Sequence, residues 1–348
     1  MCEHTNNMKN YLIIFISAIL FFSCQQRNIV NENFRFAQKQ ITYALQEINL
    51  AKRNTEVSSE LISPRSLSGD GKLNLVSSKD WCSGFFPGEL WYLYEFTKNK
   101  KWLNQARIHT EILENEKWNG KTHDMGFKMY CSYGNAYRLT KDTTYQNVLL
   151  QSAKTLIKRY NATVGCIRSW DFGKEKWDFP VIIDNMMNLE LLFWATKETG
   201  DSTYRNIAIN HAQTTLKNHF RTDNSCYHVV DYNPNSGEVR KRVTHQGYSD
   251  ESAWARGQAW AIYGFTMCYR ETGEKEFLAQ AEKTVQYFFT HPNLPEDLIP
   301  YWDFNAPAIP NEPRDVSAAT VAASSLYELS GYVPEKSTFY KSLADKII

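Results

Sequence analysis

TGDSTYRNIAINHA, residues 199–212, is the stretch that decides the fold, because its pattern returns along the chain. It recurs as TKNKKWLNQA (97–106), TKDTTYQNVLLQSA (140–153), TGEKEFLAQA (272–281) and, degenerately, SGYVPEKSTFYKSLA (330–344). Gly or Lys closes one helix, Asp or Thr opens the next, and an aromatic residue followed by Ala starts a new packed face. A more apolar helix therefore turns tightly into a more amphipathic one, again and again. Units that cannot bury a face alone must stack. Tandem hairpins of this kind either run on as a solenoid or close into a ring.

Helical spacing of apolar residues predicts an all-α fold of eleven helices, at about 32–54, 84–97, 100–115, 125–139, 142–158, 183–199, 202–219, 252–272, 275–290, 314–330 and 335–347. CYHVVDYN and SGEVRKRV, within 226–243, alternate and turn at Asn233-Pro234-Asn235-Ser236-Gly237, which predicts a small β-hairpin insertion. Connections after each Thr phrase are short. Those before the more apolar helices are long and hold most of the unusual residues, and function is commonly carried on such loops.

The net charge of +1 advertises no nucleic-acid partner. Aromatic residues make up 14%, including 10 Trp and 20 Tyr, which suits both a packed helical core and a sugar-lined cleft. YLIIFISAILFF (11–22) is too short to span a bilayer and has the length of a signal-peptide core. FFSC ends at Cys24 and resembles a bacterial lipoprotein signal. The expectation is a leader over 1–24 with Cys24 lipidated, an ordinary cleaved signal being the alternative. Either exports the chain, to the periplasm or cell envelope, with the membrane touched only through the lipid. Residues 25–348 are expected to form a single catalytic domain. Cys82, Cys131, Cys166, Cys226 and Cys268 are odd in number and widely spaced, so they read as buried hydrophobes. No spacing suggests a metal site, a P-loop or a dinucleotide loop, and no cofactor is expected.

Four segments precede the more apolar helices: DWCSGFFPGELW (80–91), THDMGFKMY (122–130), FPVIIDNMMN (179–188) and THQGYSDESAWARGQAW (244–260). A ring would bring them together at one end. Asp184 sits among Ile182, Ile183, Met186 and Met187. An aspartate starting a helix is favoured by the dipole. An apolar setting instead raises a carboxyl pKa, which suits an acid. On residues alone, His123-Asp124 before Gly126 reads as a helix cap.

W-x-S-G-F-x-P-G, H-D-x-G-F, I-D-N-x-M-N-L, T-H-Q-G, S-x-W-A-R-G-Q-A-W and RDVSAAT, in this order over about residues 80–330, resemble glycoside hydrolase family 88, the unsaturated glucuronyl hydrolases. The resemblance implies an (α/α)6 toroid. Twelve helices are then expected where eleven are counted, so the last inner helix is expected to be missing, through truncation at the C-terminus. It also implies hydration of the C4=C5 bond of a 4,5-unsaturated uronic acid at the non-reducing end of lyase-made glycosaminoglycan oligosaccharides, releasing the next sugar. Asp184 aligns with the general acid/base and Asp124 with a second essential aspartate that contacts sugar hydroxyls. His123 falls among the substrate-binding positions. Trp81, Trp170 and Trp260 can offer faces to sugar rings. His228 and Gln246 align with residues around the water and the carboxylate. Arg256 is a candidate fork for the uronate carboxylate, with a salt bridge to Glu251 or Asp250 as its structural alternative. His245 and Gln258 read as structural. The rivals are an unsaturated rhamnogalacturonyl hydrolase of family 105 acting on pectin fragments, and a glycan-binding lipoprotein without catalysis. H-D-x-G-F and S-x-W-A-R-G-Q-A-W favour family 88, and the presence of both carboxylates speaks against a mere binder.

Overall fold

A computed structural model describes residues 29–53 and 60–348, so the expected leader over 1–24 and Cys24 lie outside the described residues. Two compact units divide the chain between Ile112 and Leu113.

In the first unit, α1 covers 29–53. A hairpin of β1 (Ser63–Leu67) and β2 (Leu73–Val76) follows, then α2 (Phe85–Thr97) and α3 (Lys100–Glu111). The α2–α3 turn shows why the Thr phrase repeats. The Thr97 hydroxyl donates to the Leu93 carbonyl at 2.6 Å and accepts the Asn99 N–H at 3.2 Å. Lys98 takes the left-handed conformation that ends a helix, and the Asn99 side chain caps the next by accepting the Lys101 N–H.

The second unit repeats the device at Thr140, Thr199 and Thr272, each donating to the carbonyl four residues back. Lys141, Gly200 and Gly273 supply the left-handed residue. The aromatic and Ala of every phrase are buried: Trp102 and Ala106, Tyr145 and Ala153, Tyr204 and Ala212, Phe277 and Ala281, Tyr340 and Ala344. The helices so joined are α4 (Asn135–Thr140) to α5 (Thr143–Ile157), α6 (Leu189–Thr199) to α7 (Ser202–Asn218), and α8 (Ala255–Thr272) to α9 (Lys275–Thr290). Last come α10 (Val316–Tyr332) and α11 (Ser337–Ile347).

Two expected α-helices begin in other forms. The helix expected over 125–139 opens as a π-helix, Gly126–Gly134, before continuing as α4. The one expected over 183–199 opens as a 3-10 segment, Ile183–Asn188, before α6. Wide and tight turns of this kind often mark functional sites or hinges. After α5 comes a short hairpin of β3 (Tyr160–Asn161) and β4 (Cys166–Ile167). The hairpin at 226–243 forms as β6 (Val229–Tyr232) and β7 (Val239–Val243), but it does not stand alone. It takes β5 (Pro180–Ile182) as a third, antiparallel strand. Buried Val181 and Val230 give this sheet an apolar face, together with Val164, Cys166, Phe179 and Tyr232. Within the π-helix, the fully buried Lys128 ammonium meets Glu116 at 2.7 Å, a pair no sequence pattern announced.

The 3-10 segment is gripped from two sides by glycine. A Cβ on Gly126 would stand 2.6 Å from the Asn188 Cα, and one on Gly264 of α8 would stand 2.4 Å from the Met186 Cβ. Gly264→Ala should destabilise the fold by about 1–3 kcal/mol through overpacking. Gly331→Ala in α10, where an added Cβ meets nothing within 4 Å, should be neutral or stabilise by up to about 1 kcal/mol. Thermal unfolding of the pair checks this, and equal melting temperatures would remove the packing argument.

Candidate active site

The sheet sets the first contact. Ile182 pairs with Val229, and the ladder runs one step further as the Ile183 N–H donates to the His228 carbonyl at 3.1 Å. Asp184 and His228 therefore lie side by side, Oδ2 to Nε2 at 3.6 Å. The tautomer of His228 follows from its other nitrogen. Nδ1 accepts the backbone N–H of both His245 and Gln246 at 3.0 Å, so it carries no proton and the N–H is at Nε2, facing Asp184. Burial, reinforced by neighbouring imidazoles and Arg256, holds its pKa far below the ordinary histidine value. The ring is a neutral donor.

Asp184 is 8% exposed. Burial is the main cause that pushes its pKa up to about 7, and the charge of Asp124 adds to it. A backbone hydrogen bond, the Arg256 charge and the Trp260 indole oppose the rise without cancelling it. Trp260 Nε1 reaches no partner at full hydrogen-bond distance, yet its N–H acts on the carboxylate.

Asp124 is held at the mouth of the π-helix. The Thr122 hydroxyl donates to its Oδ2 at 2.5 Å, and His123 Nε2 stands 3.3 Å from its Oδ1. His123 is buried, and burial lowers its pKa. The two carboxylate segments are tied by Asn188, whose Oδ1 accepts the Phe127 N–H at 3.0 Å. Asn185, beside Asp184, anchors the other side by donating from Nδ2 to the Ile167 carbonyl at 2.7 Å.

Arg256 stands in the first turn of α8, its guanidinium over the Trp254 ring at 4.8 Å. Its salt bridge goes neither to Glu251 nor to Asp250. Nη1 meets Asp315 Oδ2 at 2.5 Å, and Asp315 also accepts the Ala318 N–H as the cap of α10. Glu251 and the Asp250 carbonyl face Arg221 instead, because that side chain comes from the neighbouring turn after α7. Among the described residues the hydrogen bonds of Arg256 run through Nη1. Nε and Nη2 remain for a ligand.

The other expected residues fall as follows. Trp260 is buried and packs on Phe127, ring centroids 5.2 Å apart. Trp170 is nearly buried, stacks on exposed Phe172 at 5.0 Å and tilts towards His245 at 5.3 Å. Gln246 exposes its side chain, and its backbone N–H orients His228. Gln258 grips the Cys226 backbone through both amide atoms, a structural role. Trp81 belongs to the first unit, where its ring meets Phe85 edge-on at 5.7 Å. Sequence reasoning passed over Thr122, Phe172, Asn188 and Asp315. Asn188 and Asp315 stood inside the matched I-D-N-x-M-N-L and RDVSAAT runs, a signal that could have found them.

A buried carboxyl that keeps its proton to about pH 7, beside a second carboxylate, a neutral imidazole donor and a guanidinium, is equipment for general acid–base catalysis on an anionic sugar. The sequence pattern of Glycosyl Hydrolase Family 88 matches residues 63–304. The chain is 53% identical over 287 residues to an unsaturated glucuronyl hydrolase of Formosa agariphila, covering 82% of this chain and 71% of that protein. A crystal structure of an unsaturated glucuronyl hydrolase specific for heparin superposes with a TM-score of 0.82 at 46% identity, covering 89% of this chain and 82% of that one. A mutant unsaturated glucuronyl hydrolase from Streptococcus agalactiae, complexed with dGlcA-GalNAc6S, superposes with a TM-score of 0.70 at 31% identity, covering 89% and 77%. The chain belongs to glycosyl hydrolase family 88. Its fold class is the (α/α)6 toroid, and it is an enzyme of the unsaturated glucuronyl hydrolase kind.

The raised pKa of Asp184 has a stability consequence. The folded state binds this proton more tightly than the unfolded chain, whose aspartates titrate near 4. Stability is thus fully present below about pH 4 and falls as pH rises to about 7, the total being on the order of 4 kcal/mol. Asp184→Asn does not titrate. It should melt above wild type at pH 8, with the advantage vanishing towards pH 4. A pH-independent difference in melting temperature would place the pKa near its ordinary value.

Proposed function

We propose that this enzyme hydrates the C4=C5 bond of a 4,5-unsaturated uronic acid at the non-reducing end of glycosaminoglycan oligosaccharides, releasing the next sugar. The observation that carries the reading is Asp184: a buried carboxyl, protonated up to about neutrality, with a neutral N–H donor 3.6 Å away. Asp184 gives its proton to C4. The resulting carboxylate takes a proton from the water that attacks C5, and its own acid form is restored. The hemiketal so made at C5 collapses and expels the leaving sugar. The anomeric carbon is not attacked, so no retaining or inverting carboxylate spacing applies. His228 Nε2–H steadies the carboxylate between the two transfers. Asp124 binds sugar hydroxyls, and its charge helps keep Asp184 protonated. Arg256, its Nη1 held by Asp315, offers Nε and Nη2 to the uronate carboxylate. Trp170 and Trp260 supply apolar faces, with His123 and Gln246 in the surrounding shell. The match to family 88 favours this reading over the family 105 alternative on pectin fragments.

The leader over 1–24 supports export and a lipid anchor at Cys24, in the periplasm or cell envelope. Incorporation of labelled palmitate into wild type but not into Cys24→Ser tests it.

Loss of the enoate's ultraviolet absorbance, followed over lyase-made disaccharides, tests the activity. Asp184→Asn should cost about 10²–10⁴-fold in kcat while leaving substrate binding largely intact. A variant retaining more than about a tenth of wild-type kcat, under ~1.4 kcal/mol, ends the assignment. Arg256→Lys should weaken turnover of the free acid more than that of its methyl ester, because a lysine cannot reproduce the two-point contact and the ester has already lost it. Equal losses on both substrates would leave Arg256 a structural partner of Asp315.

A further inference from the structure

Arg256 and Asp315 are 59 residues apart, yet one short stretch of backbone carries both. On one side of residues 300–304, the Ala255 N–H donates to the Trp302 carbonyl at 3.1 Å and the Phe304 N–H to the Ala253 carbonyl at 2.9 Å. On the other side, the Trp302 N–H donates to the Pro313 carbonyl at 2.9 Å and the Asp315 N–H to the Pro300 carbonyl at 2.8 Å. Bridges between Trp254 and Asp303 and between Tyr301 and Arg314 complete the ladder. Arg256 leaves one edge of it and Asp315 the other. Their meeting is therefore set by main-chain hydrogen bonds, not by a chance encounter of two long side chains.

Asp315 divides its two oxygens between two tasks. Oδ1 accepts the Ala318 N–H at 2.9 Å and the Ser317 hydroxyl at 2.5 Å, which caps α10. Capping needs only one oxygen. Oδ2 is left for Arg256 Nη1, at 2.5 Å. The guanidinium is then held at two places, with its face over the Trp254 ring at 4.8 Å and one nitrogen on Asp315. A planar fork fixed in this way has little freedom to turn. Its remaining edge, Nε with Nη2, is the edge that makes two parallel bonds to a carboxylate. An arginine free to swing would lose that freedom when its ligand bound, which costs affinity. The guanidinium stays partly exposed, and its charge acts on both Asp184 and His228, so the held fork stands at the site.

We propose that Asp315 is a positioning residue for the reaction: it presents the free edge of Arg256 to the uronate carboxylate and so sets the preference for a free acid over its ester. This rests on the functional reading above and adds a residue to it. Two substitutions separate the role from capping. Asn and Ser cap helices about as well as Asp. Asp315→Asn has a single acceptor oxygen, so keeping the cap turns an NH2 group on Nη1. Asp315→Ser keeps the cap and is too short to reach the guanidinium. The test measures kcat and KM on an unsaturated disaccharide and on its methyl ester. Both variants should lose about tenfold in kcat/KM on the free acid, mainly through KM, and less than about twofold on the ester. Their melting temperatures should stay close to wild type. In an Arg256→Ala background, Asp315→Asn should cost nothing further on the acid, because it acts only through the guanidinium. A wild type indifferent to the ester, equal losses on acid and ester, an acid preference that survives both substitutions, or a loss that persists in full without Arg256 overturns the proposal and leaves Asp315 a cap of α10. No turnover of any unsaturated disaccharide by wild type overturns the functional reading and the positioning role with it.

Discussion

One amide holds the chemistry together. The Asn188 side chain reaches out of the 3-10 segment that carries Asp184 and accepts the N–H of Phe127, three residues past Asp124. The two segments can approach that closely because residue 126 has no side chain: any Cβ there would strike Asn188. The separation of the two carboxylates is thus set by backbone contact and one buried hydrogen bond, not by flexible side chains. The irregular helices follow from the same constraint. Ile183 is still bound into the sheet through the His228 carbonyl, so the chain must turn tightly at once to bring Asn188 round to the π-helix.

The charge arrangement has the same economy. Asp124 pushes the Asp184 pKa up and Arg256 pushes it down, so the poise near neutrality depends on both. An unpaired guanidinium beside Asp184 would favour its ionised form more strongly. Asp315 holds Nη1 of Arg256. The cap of α10 thus positions a guanidinium whose charge acts on a carboxyl of a different element.

The helical frame was legible because its signals are local. A Thr that back-bonds four residues and then accepts an N–H two residues on is written into consecutive positions, and so are the left-handed residue and the buried aromatic and Ala that follow. Asp184 was legible for a related reason, as a charge in an apolar run. The partner of Arg256 was not. The sequence offered Asp250 and Glu251 a few positions away, whereas the fold delivers Asp315 from 59 residues on. The π and 3-10 openings were equally hidden. They result from contacts between segments 61 residues apart, which no periodicity within one segment can encode.

The buried polar atoms left without a hydrogen-bond partner carry the reasoning one step further. Among the described residues, six of the thirteen belong to His123, Trp170, Asp184, Asn185, His228 and Trp260, which stand on five separate segments of the second unit. Such groups are rare in folded proteins, because each forfeits its desolvation cost. The frame satisfies its helix ends at every Thr turn, yet on the segments that carry the candidate site residues these donors and acceptors lack a full hydrogen bond. Indole and imidazole N–H groups mixed with carboxyl and amide oxygens complement a molecule that both donates and accepts at many points, as a sugar does with its hydroxyls. The same polarity that costs folding energy in the free enzyme becomes binding energy when a ring of hydroxyls enters. The instability of Asp184 in its ionised form and the unmatched donors beside it are therefore two aspects of a site built around its ligand.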